Sequence, residues 1–198
     1  MRAIILDMYG VILKQTGDDF VPYVQQTFPD LKAEEIWKSW SKADIGAITP
    51  YEMWRELGFC DEIEKVDKGY LNSLYIQEEF EVFAVSVKKK YKLALLSNDV
   101  SEWSRYIRER FDMNKYFDVI CISGDLQMEK PDEKIFRYVI EKLECSPEEC
   151  IYVDDREGNL EASKAVGMRA IMFNSRKVEY DGESVESFCE LKNMLDEM

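Results

Sequence analysis

Four short stretches carry residues that are able to do chemistry together. Asp7 closes the apolar run Ala3-Ile4-Ile5-Leu6, and Tyr9 and Gly10 follow it. Ser97-Asn98-Asp99 closes a second run, Lys130 precedes Pro131 and Asp132 in a polar loop, and Asp154-Asp155 closes a fourth apolar run. A carboxylate can attack an electrophilic centre and carry it as a covalent intermediate. If the centre is phosphorus, two negative groups must meet, and a hard divalent cation held by oxygen cancels their repulsion best. Asp7 and one of Asp154 or Asp155 can supply that oxygen. A serine hydroxyl, backbone N–H groups near Tyr9 and Asn98, and the Lys130 ammonium can hold the remaining phosphoryl oxygens.

These stretches act on one substrate only if the fold brings them together. Five apolar runs read as buried strands: residues 3–6, 93–96, 119–122, 151–153 and 170–173. Helical patterns separate the last four, over residues 101–111, 132–143 with Asp132 as N-cap, and 157–166 ending before Gly167. Alternating strands and helices predict an α/β fold, a Rossmann-like doubly wound parallel sheet with helices on both faces. Ligands of such sheets bind at the carboxyl ends of the strands, where all four stretches would lie. Residues 15–77 break the alternation. They offer no convincing strand and carry Phe20, Tyr23, Phe28, Trp37, Trp40, Tyr51 and Trp54 at helical spacing. We read this interval as a helical bundle inserted after the first strand, with the aromatics as its core. The expected division is a core of residues 1–14 and 78–198 and a cap of 15–77. The tail from Val178 is acidic and ends in a short amphipathic helix.

The composition narrows the chemistry. The chain has 198 residues, no histidine, 40 acids against 26 bases and a formal charge of −14. Catalytic systems built on histidine, and histidine zinc sites, are excluded for this chain alone. The charge argues against nucleic acid and anionic membranes as partners. An anionic substrate remains open, because a metal or a lysine can reverse the field inside one pocket. The five cysteines are scattered, and Cys145 and Cys150 read as packing residues. With no long apolar stretch and no signal-peptide layout, the expectation is reduced thiols in the cytoplasm.

LDMYGVIL, LLSND, EKPDEKIF and YVDDREGNLEAS together resemble the four motifs of the haloacid dehalogenase (HAD) superfamily. The insert is similar to its type 1 helical cap. DDREGNLEASKAVGM resembles the branch holding the alpha-D-glucose-1-phosphate phosphatases and the phosphatase domain of soluble epoxide hydrolases. The resemblance implies a Mg²⁺-dependent hydrolase of small phosphomonoesters, sugar phosphates included, with Asp7 as nucleophile. It implies the Tyr9 carbonyl and Asp155 as direct metal ligands, with Asp154 behind them or on a metal's water. Asn159 would support that shell, and Ser97, Asn98 and Lys130 would hold the phosphoryl group.

Tyr9 departs from the pattern, since most phosphatases of the superfamily carry an acid there that protonates the leaving oxygen. We read it as a lost acid that weakens the enzyme, unless another acid is recruited. Three further readings stand beside this one. A metal-free 2-haloacid dehalogenase also carries tyrosine at this place, although the intact pair Asp154-Asp155 argues for a metal. A phosphoryl-transfer enzyme such as a mutase, or a catalytically impaired binding protein, would keep the fold as well. Trp37, Trp40, Trp54, Lys38 and Lys42 are the insert's candidates for touching substrate.

Overall fold

The structure is a computed structural model and describes residues 1–197. Its strands are β1 (Ala3–Leu6), β2 (Lys92–Ser97), β3 (Val119–Ile122), β4 (Cys150–Asp154), β5 (Arg169–Phe173) and β6 (Ser184–Val185). They form one parallel sheet in the order β3-β2-β1-β4-β5-β6. The five expected strands are present. The two-residue β6 is additional, and its length gives no alternation to read. The helices are α1 (Phe20–Gln25), α2 (Ala33–Asp44), α3 (Pro50–Glu56), α4 (Ile63–Ser73), α5 (Phe80–Val87), α6 (Ser101–Arg110), α7 (Ser123–Leu126), α8 (Glu133–Leu143), α9 (Glu157–Ala165) and α10 (Phe188–Asp196).

Side chains alternate across the strands, so each strand feeds two cores. Ala3, Ile5, Ala94, Leu96, Tyr152 and Met172 pack with α8 and α9 on one face. Ile4, Leu6, Leu93, Leu95, Ile151, Val153 and Phe173 pack on the other with α5, α6, α10 and the inserted helices. Asp132 caps α8 as expected, its side chain accepting from the Lys134 N–H at 2.9 Å. Cys150 is buried in the first of these cores, with Cys145 packed against it.

Helices α1 to α4 make up the insert. Its two crossings run side by side, with Lys14 N–H donating to Tyr75 O and Gln77 N–H to Ile12 O, each at 2.8 Å. The insert's apolar interior is continuous with the second sheet face. The Phe20 ring lies 4.2 Å from Trp40, 5.3 Å from Trp54, 5.0 Å from Tyr70 and 5.7 Å from Trp103 of α6. Tilted and edge-on pairs of this kind add about 0.5–1.5 kcal/mol each beyond the area they bury. Asp67 of α4 ties the same helices by hydrogen bonds, accepting from the indole N–H of Trp54 and of Trp103, each at 2.7 Å. Tyr51 was expected in this core but is 55% exposed, because it lies on the outward side of the short α3. No described helix is long and apolar enough to cross a membrane.

Candidate active site

The register of the sheet builds the site. Leu6 pairs with Leu95 on one side and Val153 on the other, and Asp7 N–H continues the ladder to Val153 O at 3.0 Å. Asp7, the turn after β2 and the end of β4 therefore share one sheet edge. One oxygen from each of Asp7, Asp154 and Asp155 lies within 4.8 Å of the others, and all three residues are buried.

Lys130 sits among them. Its ammonium is 2.7 Å from Asp7 Oδ1 and 2.9 Å from Asp154 Oδ2, and it donates to Leu96 O at 3.1 Å. Burial disfavours its charge, but Asp154 and Asp7 outweigh that and hold its pKa above the ordinary lysine value. Asp154 has no free edge. It also accepts from the Tyr152 hydroxyl, from Arg156 N–H at 2.8 Å and from Asn159 Nδ2 at 3.0 Å. That makes Asp154 an anchor for Lys130. Asn159, at the start of α9, donates to Asp154 and to none of the other carboxylates of the cluster.

Asp155 faces Arg176, whose Nε donates to Oδ2 at 2.6 Å. The same guanidinium reaches Asp18 of the insert, which Arg156 also holds at 3.0 Å. Burial raises the Asp155 carboxyl above its ordinary range, Asp154 adds to this and Arg176 opposes it. Asp7 is likewise pushed up to about 7 by burial, against the pull of Lys130. Three carboxylates thus face two cationic side chains, and a negative charge is left unmatched. An all-oxygen donor set with excess negative charge suits a hard divalent cation. Gly10 leaves the space at this point: its φ is 75°, and a Cβ there would lie 2.5 Å from Asp155 Oδ2.

Two expected phosphoryl-binding side chains, Asn98 and Ser97, have hydrogen-bond partners within the protein. Asn98 turns its amide to the loop of Lys130, donating to Lys130 O at 2.9 Å and accepting from Lys130 N–H at 2.8 Å. It positions the lysine. Ser97 is the last paired residue of β2 and is fully buried, with its hydroxyl 3.4 Å from Asn98 O and off the cleft wall. Tyr9 is 6% exposed, and its hydroxyl donates to the buried Asp99 at 3.4 Å. Its ring meets Trp40 edge-on at 6.2 Å. Burial and Asp99 raise its pKa well above the ordinary tyrosine value, so the phenol stays neutral.

A cleft of about 780 Å³ opens over Asp7, Lys130 and Asp155. The insert contributes Asp18, Trp37, Trp40, Ser41 and Asp44 to its wall, and the core contributes Asn98, Glu129, Arg156 and Arg176. Asp18, Asp44, Glu129, Arg156 and Arg176 were not foreseen from the sequence. Each looks like an ordinary solvated charge until the fold sets it beside the cleft.

A family model for haloacid dehalogenase-like hydrolases matches residues 1–167. The chain is 32% identical over 187 residues to the phosphorylated carbohydrates phosphatase of Thermotoga maritima, covering 86% of this chain and 84% of that protein. It is 26% identical over 182 residues to the drimenol cyclase drtB of Aspergillus calidoustus, covering 89% of this chain but only 34% of that protein. Among solved structures, a HAD family enzyme of Bacteroides thetaiotaomicron, an aspartate-to-alanine mutant in complex with magnesium and inorganic phosphate, superposes with a TM-score of 0.76 at 20% identity. That match covers 87% of this chain and 93% of the other.

Proposed function

The chain belongs to the haloacid dehalogenase-like hydrolases, and from that premise we propose that it is a magnesium-dependent phosphatase of small phosphomonoesters working through an aspartyl-phosphate on Asp7. The observation that carries the reading is the buried ammonium of Lys130 between Asp7 and Asp154, beside the further carboxylate of Asp155. Asp7, Asp155 and the Tyr9 carbonyl would hold the cation, which supplies the positive charge that lets a phosphate dianion approach a carboxylate. Asp7 attacks phosphorus in line with the leaving oxygen. Lys130 neutralises charge on Asp7 and on the phosphoryl oxygens. Asp154 and Asn98 keep Lys130 in place from its two ends. Residues 15–77 form the cap that selects the ester's organic part, with Trp37 and Trp40 on the cleft wall. The Thermotoga relative, a phosphatase of phosphorylated carbohydrates, supports sugar phosphates as the substrate class. The five free thiols suit a cytoplasmic enzyme.

The dehalogenase reading keeps one point in its favour, the tyrosine at position 9. It leaves three clustered carboxylates without a purpose. One experiment separates the two: a panel of phosphorylated metabolites assayed with magnesium and with chelator, beside 2-chloropropionate without metal. Magnesium-dependent phosphate release is the expected result. Chloride release with no phosphatase activity would replace this reading by the other.

A further inference from the structure

The phosphatase reading leaves the leaving-group proton without a donor, because the Tyr9 phenol points its O–H at Asp99 and its raised pKa makes it a weaker acid than an ordinary tyrosine. We propose that Asp44, on the inserted helix α2, is the general acid of this site, so that the cap delivers the proton the position after the nucleophile lacks. The inference rests on the phosphatase reading above and adds one residue to it.

Several carboxylates line the cleft, and their partners separate them. Asp7 and Asp155 are committed to the nucleophile and the cation. Asp18 is clamped by Arg156 and Arg176, which overcome its burial and hold its carboxyl below the usual range. Glu129, Glu157 and Glu179 are exposed to solvent, with no burial to hold a proton on them. Asp44 is 6% exposed and makes no ion pair among the described residues. Its neighbour is the Ser123 hydroxyl, which has one proton and lies 2.5 Å from Asp44 O but 3.4 Å from Asp44 Oδ1. The short contact to the backbone carbonyl takes that proton, which leaves the Trp40 side chain as the other donor to the buried carboxyl, and burial outweighs both. Such a group is most stable neutral, holding its own proton. Burial accordingly pushes it up to about 7, with Glu129 adding from the loop before α8 and Lys130 opposing. Asp99 faces it from the turn after β2 and is itself raised by burial and by Asp44.

The position is built. The end of α2 docks on α7 so closely that a Cβ on Gly46, whose φ is 71°, would lie 2.5 Å from Gly124 O. Ser123, the first residue of α7, is also the acceptor for the Asp99 N–H at 2.9 Å. Asp44 is therefore fixed to the core, lining the same cleft as the nucleophile.

The chemistry balances. As the Asp7 oxygen bonds to phosphorus, the bond from phosphorus to the ester oxygen breaks, and that oxygen takes the Asp44 proton to leave as an alcohol. The Asp44 carboxylate then takes a proton from water as the water oxygen attacks phosphorus. Phosphate leaves, the Asp7 carboxylate is restored, and Asp44 is an acid again.

The test is Asp44→Asn, which keeps shape and removes the proton. The readout is kcat/KM with saturating magnesium for p-nitrophenyl phosphate, whose leaving group is a stable anion, and for the best alkyl phosphate in a metabolite panel. A general acid contributes about 100- to 10,000-fold, and most to the poorer leaving group. The alkyl-to-aryl ratio should therefore fall about 100-fold or more. The first step should now outrun the second, giving a burst of p-nitrophenol. An unchanged ratio, or a wild-type protein that cleaves aryl esters alone, overturns the role of Asp44 and leaves the phosphatase reading standing. No hydrolysis of either ester by the wild type overturns both. Should Asp44→Asn fail to fold, the wild type carries the test: with a working acid its alkyl and aryl values stay within about tenfold, and without one they spread about 100-fold or more.

Discussion

Asp67→Ala removes one carboxylate that holds two helices of the insert to the core. Asp67 Oδ1 accepts from Trp54 on α3 and Trp103 on α6, each at 2.7 Å. Both indoles are buried, so deletion leaves two N–H groups without partners. A hydrogen bond to a charged group is worth about 1.5–3 kcal/mol, giving about 3–6 kcal/mol for the two. Relief of a partly buried charge opposes this. Burial raises the Asp67 carboxyl even against both indole donors, so the carboxylate is held at a cost. The net loss should be about 2–4 kcal/mol, a large part of the about 5–15 kcal/mol a domain possesses. At about 2–4 °C per kcal/mol for this size, the Tm falls by about 4–16 °C. Asp67→Asn keeps an acceptor without the charge and should lose about half as much. Equilibrium urea unfolding followed by tryptophan fluorescence reads both variants. A loss under about 1 kcal/mol for alanine, or equal losses for the two, would refute the reasoning that the insert is fastened through this carboxylate.

Asp44→Asn should also change how stability depends on pH. The folded carboxyl titrates near 7 and the unfolded one near 3.8, so the wild type loses stability as pH rises between these values, by at most about 4 kcal/mol. The asparagine variant lacks this loss and should gain on the wild type from pH 4 to pH 8 in urea titrations. Lys130→Ala should abolish turnover and cost about 3–5 kcal/mol, because two buried carboxylates lose their cation; kcat and urea midpoints check the two effects separately. Tyr9→Asp should lower stability and leave the alkyl-to-aryl ratio where it was. The new carboxylate would face Asp99, whose Oδ2 already has no partner, and Asp44 remains the acid.

The sheet and the convergence on it were legible for one reason. In a parallel sheet the carboxyl ends lie on one edge, so Asp7, Lys130 and the pair Asp154-Asp155 had to meet once the strands were found. Residue types alone did not reveal how the donors would be used. Asn98 looks like a ligand-binding amide, but its two ends match the Lys130 peptide and are taken by it. Tyr152 reads as one apolar residue of a strand, yet its hydroxyl bonds Asp154 from below. Arg176 lies in a polar stretch after β5 with no periodicity; the return of the insert gives it Asp18, and the neighbouring end of β4 gives it Asp155. Asp44 was hidden for a similar reason. It ends an amphipathic helix whose sequence shows which face is apolar, but the acid's neighbour, Ser123, is set by how that helix docks 79 residues away in the chain.

The central claim is that the Asp7 carboxylate bonds to phosphorus during turnover. Acid quenching of the protein during hydrolysis of a phosphate ester with magnesium, followed by borohydride reduction and peptide mass spectrometry, tests it directly. An acyl phosphate is reduced to an alcohol where a free carboxylate is not. The account predicts homoserine at position 7, none without magnesium, and more of it in Asp44→Asn, where the second step is slowed. Phosphate release with aspartate intact at position 7 and with Asp7→Asn still active would contradict it.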